Sequence, residues 1–327
     1  MASGTSHLMT QRQSSVFDEL VQIDEFFAQL QKPSNLDSIR TKAGEFCKRN
    51  EHLKIALITS GGTTVPMELN TVRFVDNFSA GTRGSASTEY LLQTGQYAVI
   101  FLYRSKSLEP YSRHFSPDEL LNQLQWEPET DDITVSSSFK PKLREILKHK
   151  KETEDRLLKI TFTTLSEYLF TLRELTLVLN EFGSNTMLYL AAAVSDFYIP
   201  PENMAIHKIQ SSEPLRLHFE LVPKVLRPLV KFWVPDAFVI SFKLETDENI
   251  LLSKARKALT KYGHKLVIAN ELNTRKDKVT LVTETDSEVI KVDSQLNNVE
   301  IEKFIVENVV QRHQDFITQV EAETSTH

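Results

Sequence analysis

Glycine is scarce in this chain. Only 9 of its 327 residues are glycine, about 3 % where soluble proteins average about 7 %. That shortage excludes collagen-like sequences and glycine-rich linkers. No stretch of about 18 consecutive apolar residues occurs, so we expect no membrane-spanning helix and no membrane partner. Residues 1–10 have no apolar stretch typical of a signal peptide, and we predict that they are a leader outside the fold.

Cysteine occurs only once, at Cys47, so the chain cannot form an intrachain disulfide. This usage is typical of a reducing compartment. We therefore predict that the protein is cytoplasmic, with the nucleus as a further compartment. Cys47 stands beside Phe46 in an amphipathic stretch, which favours a small buried side chain over a nucleophile.

The remaining composition is ordinary, with 40 % apolar and 25 % charged residues. The net charge of −6 gives no overall field that would attract nucleic acid, so we expect no nucleic-acid partner. An acidic protein can still hold a nucleotide in a local site. The nine histidines show no metal-ligand spacing, and we predict no metal site built from side chains.

Short apolar runs alternate with amphipathic stretches, a pattern that favours buried parallel strands joined by helices. We predict strands at 54–59, 97–103, 160–163, 187–194, 237–242 and 265–269. We predict helices at 16–30, 37–49, 82–93, 140–158, 165–182, 223–231, 248–262 and 301–317. Residues 278–292 alternate between polar and apolar side chains, which predicts a hairpin.

These elements predict an α/β fold, with a Rossmann-like, doubly wound, mainly parallel sheet, a C-terminal hairpin and a helical N-terminal extension. We expect the extension over 11–52 and a single domain over 53–327. Two segments show no period. One is 105–138, which we interpret as an insertion, and the other is the proline-containing stretch 197–215. Long irregular loops of this kind often serve as lids or binding loops.

Open α/β sheets bind ligands beyond the carboxyl ends of their strands. Four of the predicted strand ends are followed by small, polar or charged residues. These are 60–64, 191–196, 241–246 and 269–271. A crevice lined in this way suits a nucleotide.

Four of the nine glycines, Gly61, Gly62, Gly81 and Gly84, fall within 24 residues. The window holds neither the phosphate loop of nucleoside triphosphatases nor the Gly-x-Gly-x-x-Gly dinucleotide fingerprint. Only a Gly-x-x-Gly spacing remains. Backbone N–H groups at a helix start can hold an anion, but the same spacing also fits a plain turn that opens a helix.

Three polar side chains are candidates for binding an anionic substrate. Arg73 could bind a carboxylate or phosphate through two N–H groups, and Asn77 offers a neutral donor and acceptor. Lys208 lies in the proline-containing segment and could close over phosphates. Read singly, Arg73 and Asn77 fit an ordinary surface or turn residue equally well, and a solvated loop residue is the usual case for a lysine such as Lys208. No Gly-x-Ser-x-Gly motif occurs, so a serine hydrolase has little support.

Five motifs in this order resemble the stand-alone eukaryotic type of the phosphopantothenate–cysteine ligase family. They are Thr-Ser-Gly-Gly-Thr at 59–63, Val-Arg-Phe-Val-Asp-Asn-Phe-Ser-Ala-Gly at 72–81, Ala-Ala-Ala-Val-Ser-Asp-Phe at 191–197, His-Lys-Ile-Gln-Ser at 207–211 and Ile-Ser-Phe-Lys-Leu-Glu-Thr at 240–246. The resemblance covers roughly residues 54–270.

The resemblance implies a ligase of coenzyme A biosynthesis. In this family a nucleoside triphosphate activates the carboxylate of 4′-phosphopantothenate, and the amine of L-cysteine attacks the acyl-nucleotide to form an amide. It implies ATP as the co-substrate, with CTP as the bacterial alternative, and Mg²⁺ on the phosphates. It also implies a homodimer with sites near the interface.

The resemblance further implies roles for individual residues. Asn77 is expected to hold the acyl-nucleotide carbonyl and Lys208 to lie on a flap over the phosphates. Arg73 is expected to bind the substrate phosphate or carboxylate, from its own or the neighbouring subunit. The substrate pocket is expected to include Ala192, Ala193 and Asp196. The nucleotide is expected to meet Gly62, Ser79, Gly81, Gly84, Phe242 and Asn270.

The flap departs from the bacterial pattern, because only one lysine stands in Lys-Ile-Gln-Ser at 208–211 where bacterial members carry Lys-x-Lys-Lys. Two other function classes stay open. A nicotinamide-dependent oxidoreductase would use a Gly-x-Gly-x-x-Gly turn, which is absent here. A nucleotide-binding regulatory module would bind nucleotide without turnover.

Overall fold

A computed structural model describes residues 20–211, 214–293 and 299–325, and within these ranges strands alternate with helices. The strands are β1 (Lys54–Ser60), β2 (Thr64–Pro66), β3 (Phe74–Asp76), β4 (Tyr97–Arg104), β5 (Leu124–Glu127), β6 (Asp132–Val135), β7 (Leu157–Phe162), β8 (Thr186–Leu190), β9 (Phe197–Tyr198), β10 (Glu220–Leu221), β11 (Phe238–Glu245), β12 (Leu266–Glu271), β13 (Lys278–Val282) and β14 (Ser287–Lys291). The helices are α1 (residues 20–29), α2 (Leu36–Arg49), α3 (Thr82–Gln93), α4 (Pro117–Asn122), α5 (Lys140–Thr153), α6 (Leu165–Leu179), α7 (Leu226–Pro228, continued by a π-helical turn over Leu229–Trp233), α8 (Glu248–Tyr262) and α9 (Ile301–Thr324).

Eight strands form the main sheet, in the order β14-β13-β12-β11-β8-β1-β4-β7. The six from β12 to β7 run parallel, and the hairpin β13–β14 adds two antiparallel strands at one edge. The chain moves from β1 outward to β4 and β7, then returns and places β8 on the other side of β1. The predicted doubly wound α/β fold and its C-terminal hairpin are therefore confirmed. The reversal beside β1 is the topological switch point at which such sheets bind ligands.

Helices cover both faces of the sheet, so its central strands are buried on both sides. Ile55 of β1 packs in the layer that contains α1, α2 and α6. Ile58 points to the opposite face and packs in the layer that contains α3 and α9. The helices α1 and α2 of the predicted extension thus share the core of the sheet. Cys47 of α2 is fully buried, as expected, and burial raises the pKa of its thiol to about 12.

Several predicted boundaries were wrong. The strand expected at 187–194 ends at Leu190, because the next residues cross over the end of β1 instead of continuing the ladder. The helix expected at 140–158 ends at Thr153, and β7 already begins at Leu157. The last helix runs to Thr324, beyond the expected end at 317.

The segment 105–138 was expected to be irregular, but it contains α4 and the hairpin β5–β6. The hydroxyl of Ser116 caps α4 by accepting a hydrogen bond from the Glu119 N–H at 3.0 Å. Trp126 lies opposite Ile133 in the hairpin. Among the described residues, no helix is both long and apolar enough to cross a membrane. The predicted leader 1–10 and residues 16–19 of the first predicted helix lie outside the described ranges.

Candidate active site

A cavity of about 960 Å³ opens at the carboxyl ends of β8, β11 and β12, beside the loop that leads into α3. Its volume is within the usual range of about 300–1,000 Å³ for small-molecule sites. The structure brings eight of the predicted site residues to this cavity. They are Asn77, Ser79, Gly81, Ala192, Ala193, Asp196, Phe242 and Asn270.

The small-residue turn after β8 is hydrogen-bonded to the loop after β1. The Ala193 N–H donates to the Gly61 carbonyl at 2.8 Å, and the Thr63 N–H donates to the Ala193 carbonyl at 3.1 Å. The Ala192 N–H donates to the Thr59 hydroxyl at 3.1 Å. These bonds fix the cavity floor at the switch point, and the methyl side chains leave the space above it open.

Asn77 borders the cavity at the end of the β2–β3 hairpin. Its backbone N–H donates to the Thr63 carbonyl at 3.1 Å. Arg104 supports the same region, because its Nη1 donates to the Gly62 carbonyl and to Asp76 Oδ1, both at 2.8 Å. The position of Asn77 is therefore set by backbone contacts.

Two of the clustered glycines lie where the chain packs too closely for a side chain. A Cβ on Gly62 would lie 1.6 Å from the Asn77 carbonyl oxygen, and a Cβ on Gly84 would lie 2.5 Å from Ser60 Cβ. Neither residue lines the cavity. Gly81 does line it, and with a φ of +83° it begins α3 without a side-chain cap. A helix start of this kind leaves N–H groups for an anion.

Arg73 and Lys208 do not line the cavity of this chain. Arg73 Nη1 donates to Glu68 Oε1 at 2.8 Å and to the Ile209 carbonyl at 3.2 Å. Glu68 is fully buried. The Arg73 backbone N–H, which donates to its carboxylate, is the largest cause that lowers the pKa of Glu68. Here Arg73 anchors the loop that carries the exposed Lys208.

Sequence reasoning missed an ion pair inside the cavity wall. Arg83 Nη1 donates to Glu302 Oε1 at 2.8 Å, and its Nη2 donates to Asn270 Oδ1 at 3.4 Å. Burial raises the pKa of the Glu302 carboxyl, and the Arg83 guanidinium opposes that rise. The position of Arg83 inside Gly81-x-x-Gly84 is the signal that could have indicated it.

Cationic side chains dominate the cavity, with eight of them against two carboxylates, Asp196 and Glu302. Asp196 forms an ion pair with Lys224. Phe242 packs edge-on against Tyr189, with ring centroids 4.9 Å apart. In the part of the chain that the structure describes, no three His, Cys, Asp or Glu side chains cluster to hold a metal. The arrangement can bind a polyanion beside an aromatic side chain and a neutral amide.

Comparisons with known proteins indicate which family this chain resembles. Residues 171–313 match the family described as the DNA/pantothenate metabolism flavoprotein C-terminal domain. The chain is 44 % identical over 275 residues to the human phosphopantothenate–cysteine ligase, covering 81 % of this chain and 88 % of that protein. It is 40 % identical over 338 residues to phosphopantothenate–cysteine ligase CAB2 of Saccharomyces cerevisiae, covering 93 % of this chain and 89 % of that protein.

Solved structures of pantothenate-metabolism proteins are also similar to this chain. A mutant of Cab2 in complex with phosphopantothenate-cysteine superposes with a TM-score of 0.82 at 38 % identity, covering 91 % of this chain and 99 % of that one. A flavoprotein of DNA and pantothenate metabolism from Streptococcus pneumoniae superposes with a TM-score of 0.55 at 22 % identity, covering 81 % of this chain and 99 % of that one. The second likeness concerns the fold alone.

Proposed function

The chain belongs to the phosphopantothenate–cysteine ligase family, and on that premise we propose that it joins 4′-phosphopantothenate to L-cysteine through an ATP-activated acyl intermediate. The observation that carries the proposal is the similarity, over most of the chain, to relatives with this activity and to Cab2 bound to phosphopantothenate-cysteine. The cationic cavity at the switch point supports it, because the nucleotide and the acid substrate are both anionic.

In the proposed first step, a carboxylate oxygen of 4′-phosphopantothenate attacks the α-phosphorus of ATP, and pyrophosphate leaves. In the second step, the cysteine amine attacks the acyl carbon and loses a proton, and AMP leaves with the electron pair of the broken C–O bond. Activation is needed because a carboxylate is a poor electrophile toward an amine.

We assign the acyl carbonyl to Asn77. Within the described residues its side-chain amide has no protein hydrogen-bond partner, so it is free to donate to the intermediate. A neutral amide suits this task, because a charged donor would also bind the ground-state carboxylate tightly. Ala192, Ala193 and Asp196 are assigned to the substrate pocket beside it.

The nucleotide is proposed to lie between the start of α3 and the ends of β11 and β12. Ser79 and Gly81 would approach its phosphates, and Phe242 and Asn270 its base and ribose. Gly62 and Gly84 pack against protein atoms, so their proposed contribution is to shape this loop. The cavity carboxylates Asp196 and Glu302 are already paired with cations, so the donor set fits a Mg²⁺ held mainly by phosphate oxygens.

A homodimer is proposed from the surface around Arg73. Val72, Phe74 and Ile206 are 57 %, 50 % and 61 % exposed. The Asn70 N–H donates to the Ile206 carbonyl at 3.1 Å, which joins the two segments into one surface. Clustered exposed apolar side chains are typical of interfaces. Packing of two copies here would let Arg73 or Lys208 act at the partner's cavity. We retain the cytoplasm as the proposed compartment.

A side-by-side assay with ATP and CTP tests the proposed function. The protein is incubated with Mg²⁺, 4′-phosphopantothenate, L-cysteine and one nucleotide, and both pyrophosphate and 4′-phosphopantothenoylcysteine are measured. We expect formation of both with ATP and much slower formation with CTP. Omission of 4′-phosphopantothenate should abolish pyrophosphate release. Pyrophosphate release with CTP but not with ATP, in the presence of both substrates, would refute the choice of nucleotide.

A further inference from the structure

The segment between β4 and α5 carries an exposed apolar surface. Trp126 and Ile133 lie directly opposite each other in the β5–β6 hairpin, and they are 64 % and 71 % exposed. Val135 lies two residues after Ile133 on β6, so both side chains point to the same face of the hairpin. An exposed tryptophan on an apolar face is typical of a binding surface.

A groove of about 510 Å³ opens between the hairpin and α5. Its lining consists of three apolar residues and three cations, which are Val135, Leu143, Leu147, Lys140, Arg144 and Lys148. Among the described residues, Lys140 and Arg144 form no ion pair, and Lys148 has a contact of 3.8 Å with Glu152. The groove therefore suits a partner that presents acidic side chains together with an apolar face.

The tip of the same hairpin has the opposite charge. Residues 127–132 contain four exposed carboxylates, which are Glu127, Glu129, Asp131 and Asp132. Within residues 20–211, 214–293 and 299–325, these four form no ion pair. Asp131 Oδ1 accepts a hydrogen bond from Trp126 Nε1 at 3.0 Å, which holds that carboxylate beside the apolar face. An acidic tip and a basic groove thus occur close together, and neither is neutralised by the other.

The tip cannot enter the groove of its own chain. The hairpin ladder pairs Leu124 with Val135 beside the groove and Glu127 with Asp132 at the tip. At about 3.3 Å per residue, the tip lies about 10 Å from the groove. A second copy can satisfy both surfaces, because a two-fold arrangement lets each tip meet the groove of the other copy. The two apolar hairpin faces would then pack against each other between these contacts.

We propose that the β5–β6 hairpin is a self-association site, at which the acidic tip of one copy binds the basic groove of a second copy. The contact is reciprocal, and it shares no residue with the proposed dimer surface around Arg73. The six residues that line the groove are few beside the about 20–30 residues per side of a standard interface. We therefore expect a weak contact, with a Kd of about 100 μM, that forms only at high protein concentration.

Charge reversal tests the reciprocal contact. The groove variant is Lys140→Glu/Arg144→Glu, and the tip variant is Glu127→Lys/Glu129→Lys. Sedimentation equilibrium over a range of protein concentrations gives the Kd of the weak association step. Each variant alone should raise this Kd about tenfold, because like charges then meet at both contacts. An equimolar mixture of the two variants should return the Kd close to the wild-type value, because each tip then meets a groove of opposite charge.

The matched control is Lys42→Glu/Lys48→Glu on α2, which makes the same charge change at exposed residues that do not line the groove. It should keep the wild-type Kd, and circular dichroism checks that every variant is folded. Both reversed variants keep a net negative charge, so attraction between whole molecules cannot explain recovery in the mixture. A wild-type protein without the weak association step, at concentrations well above the expected Kd, would overturn the inference. So would a mixture that associates as weakly as each variant alone.

Discussion

Gly62 has no room for a side chain, because the backbone of Asn77 occupies the space. A Cβ on Gly62 would lie 1.6 Å from the Asn77 carbonyl oxygen and 2.8 Å from its carbonyl carbon. The two segments would have to separate by about 1.4 Å before the shorter contact reached 3.0 Å. Both opposing atoms belong to the backbone, so no side-chain rotation can relieve the overlap.

This separation acts directly on the proposed catalytic amide. Overpacking of this kind costs about 1–3 kcal/mol of folding stability. A misplacement of about 1 Å in an active site can lower a rate by about 10²-fold. We therefore expect Gly62→Ala to fold with a lower Tm and to lose about 10²-fold in kcat.

Pyrophosphate release gives kcat for this variant, and thermal unfolding followed by circular dichroism gives its Tm. Gly44→Ala is the matched control, because Gly44 lies in α2 and a Cβ there has no neighbour within 4 Å. That control should keep its kcat and gain up to about 1 kcal/mol in stability. A folded Gly62→Ala protein with wild-type kcat would refute the link between this packing and Asn77.

Three further predictions concern catalysis, stability and assembly. Asn77→Asp should keep the wild-type Tm but lower kcat by roughly 10²- to 10³-fold, measured by product formation; near-normal turnover would contradict the role of Asn77. His313 lies fully buried, and burial lowers the pKa of its imidazole from 6.5 to about 4, so the unfolded chain binds more protons as pH falls through this interval. That proton binding removes about 3 kcal/mol of folding stability. His313→Gln should therefore flatten the acid limb of a curve of unfolding free energy against pH. An unchanged limb would contradict the role of His313 in acid denaturation. Phe74→Asp should convert a dimer to a monomer in sedimentation velocity, and a wild-type protein that is monomeric at high concentration would refute the proposed interface.

The strands of the main sheet could be predicted from the sequence, because strands buried on both faces occur as short apolar runs. The prediction of strand ends was wrong where an apolar run continues beyond the last residue of a strand. Residues 191–194 continue the run of β8, but Ala193 exchanges hydrogen bonds with Gly61 and Thr63 over the end of β1. Periodicity cannot distinguish this turn from more strand, because the difference depends on a neighbour about 130 residues away.

The candidate site was only partly predictable for the same reason. The order of the motifs predicted Asn77, Ala192 and Asp196 as site residues, and all three line one cavity. The pairing of Arg83 with Glu302 joins residues more than 200 positions apart, so the glycine spacing around Arg83 could indicate the arginine but not its partner. In the sequence, Lys254, Lys257 and Lys261 of α8 form an ordinary solvated helix face, and only the fold turns that face toward the cavity.

Isotope transfer tests the central claim most directly. 4′-Phosphopantothenate labelled with ¹⁸O in its carboxylate is incubated with the protein, ATP, Mg²⁺ and L-cysteine, and the products are analysed by mass spectrometry. Activation through an acyl-adenylate predicts that one ¹⁸O atom appears in AMP and that the other stays in the amide product. Unlabelled AMP, or label in inorganic phosphate with ADP as the second product, would contradict the account.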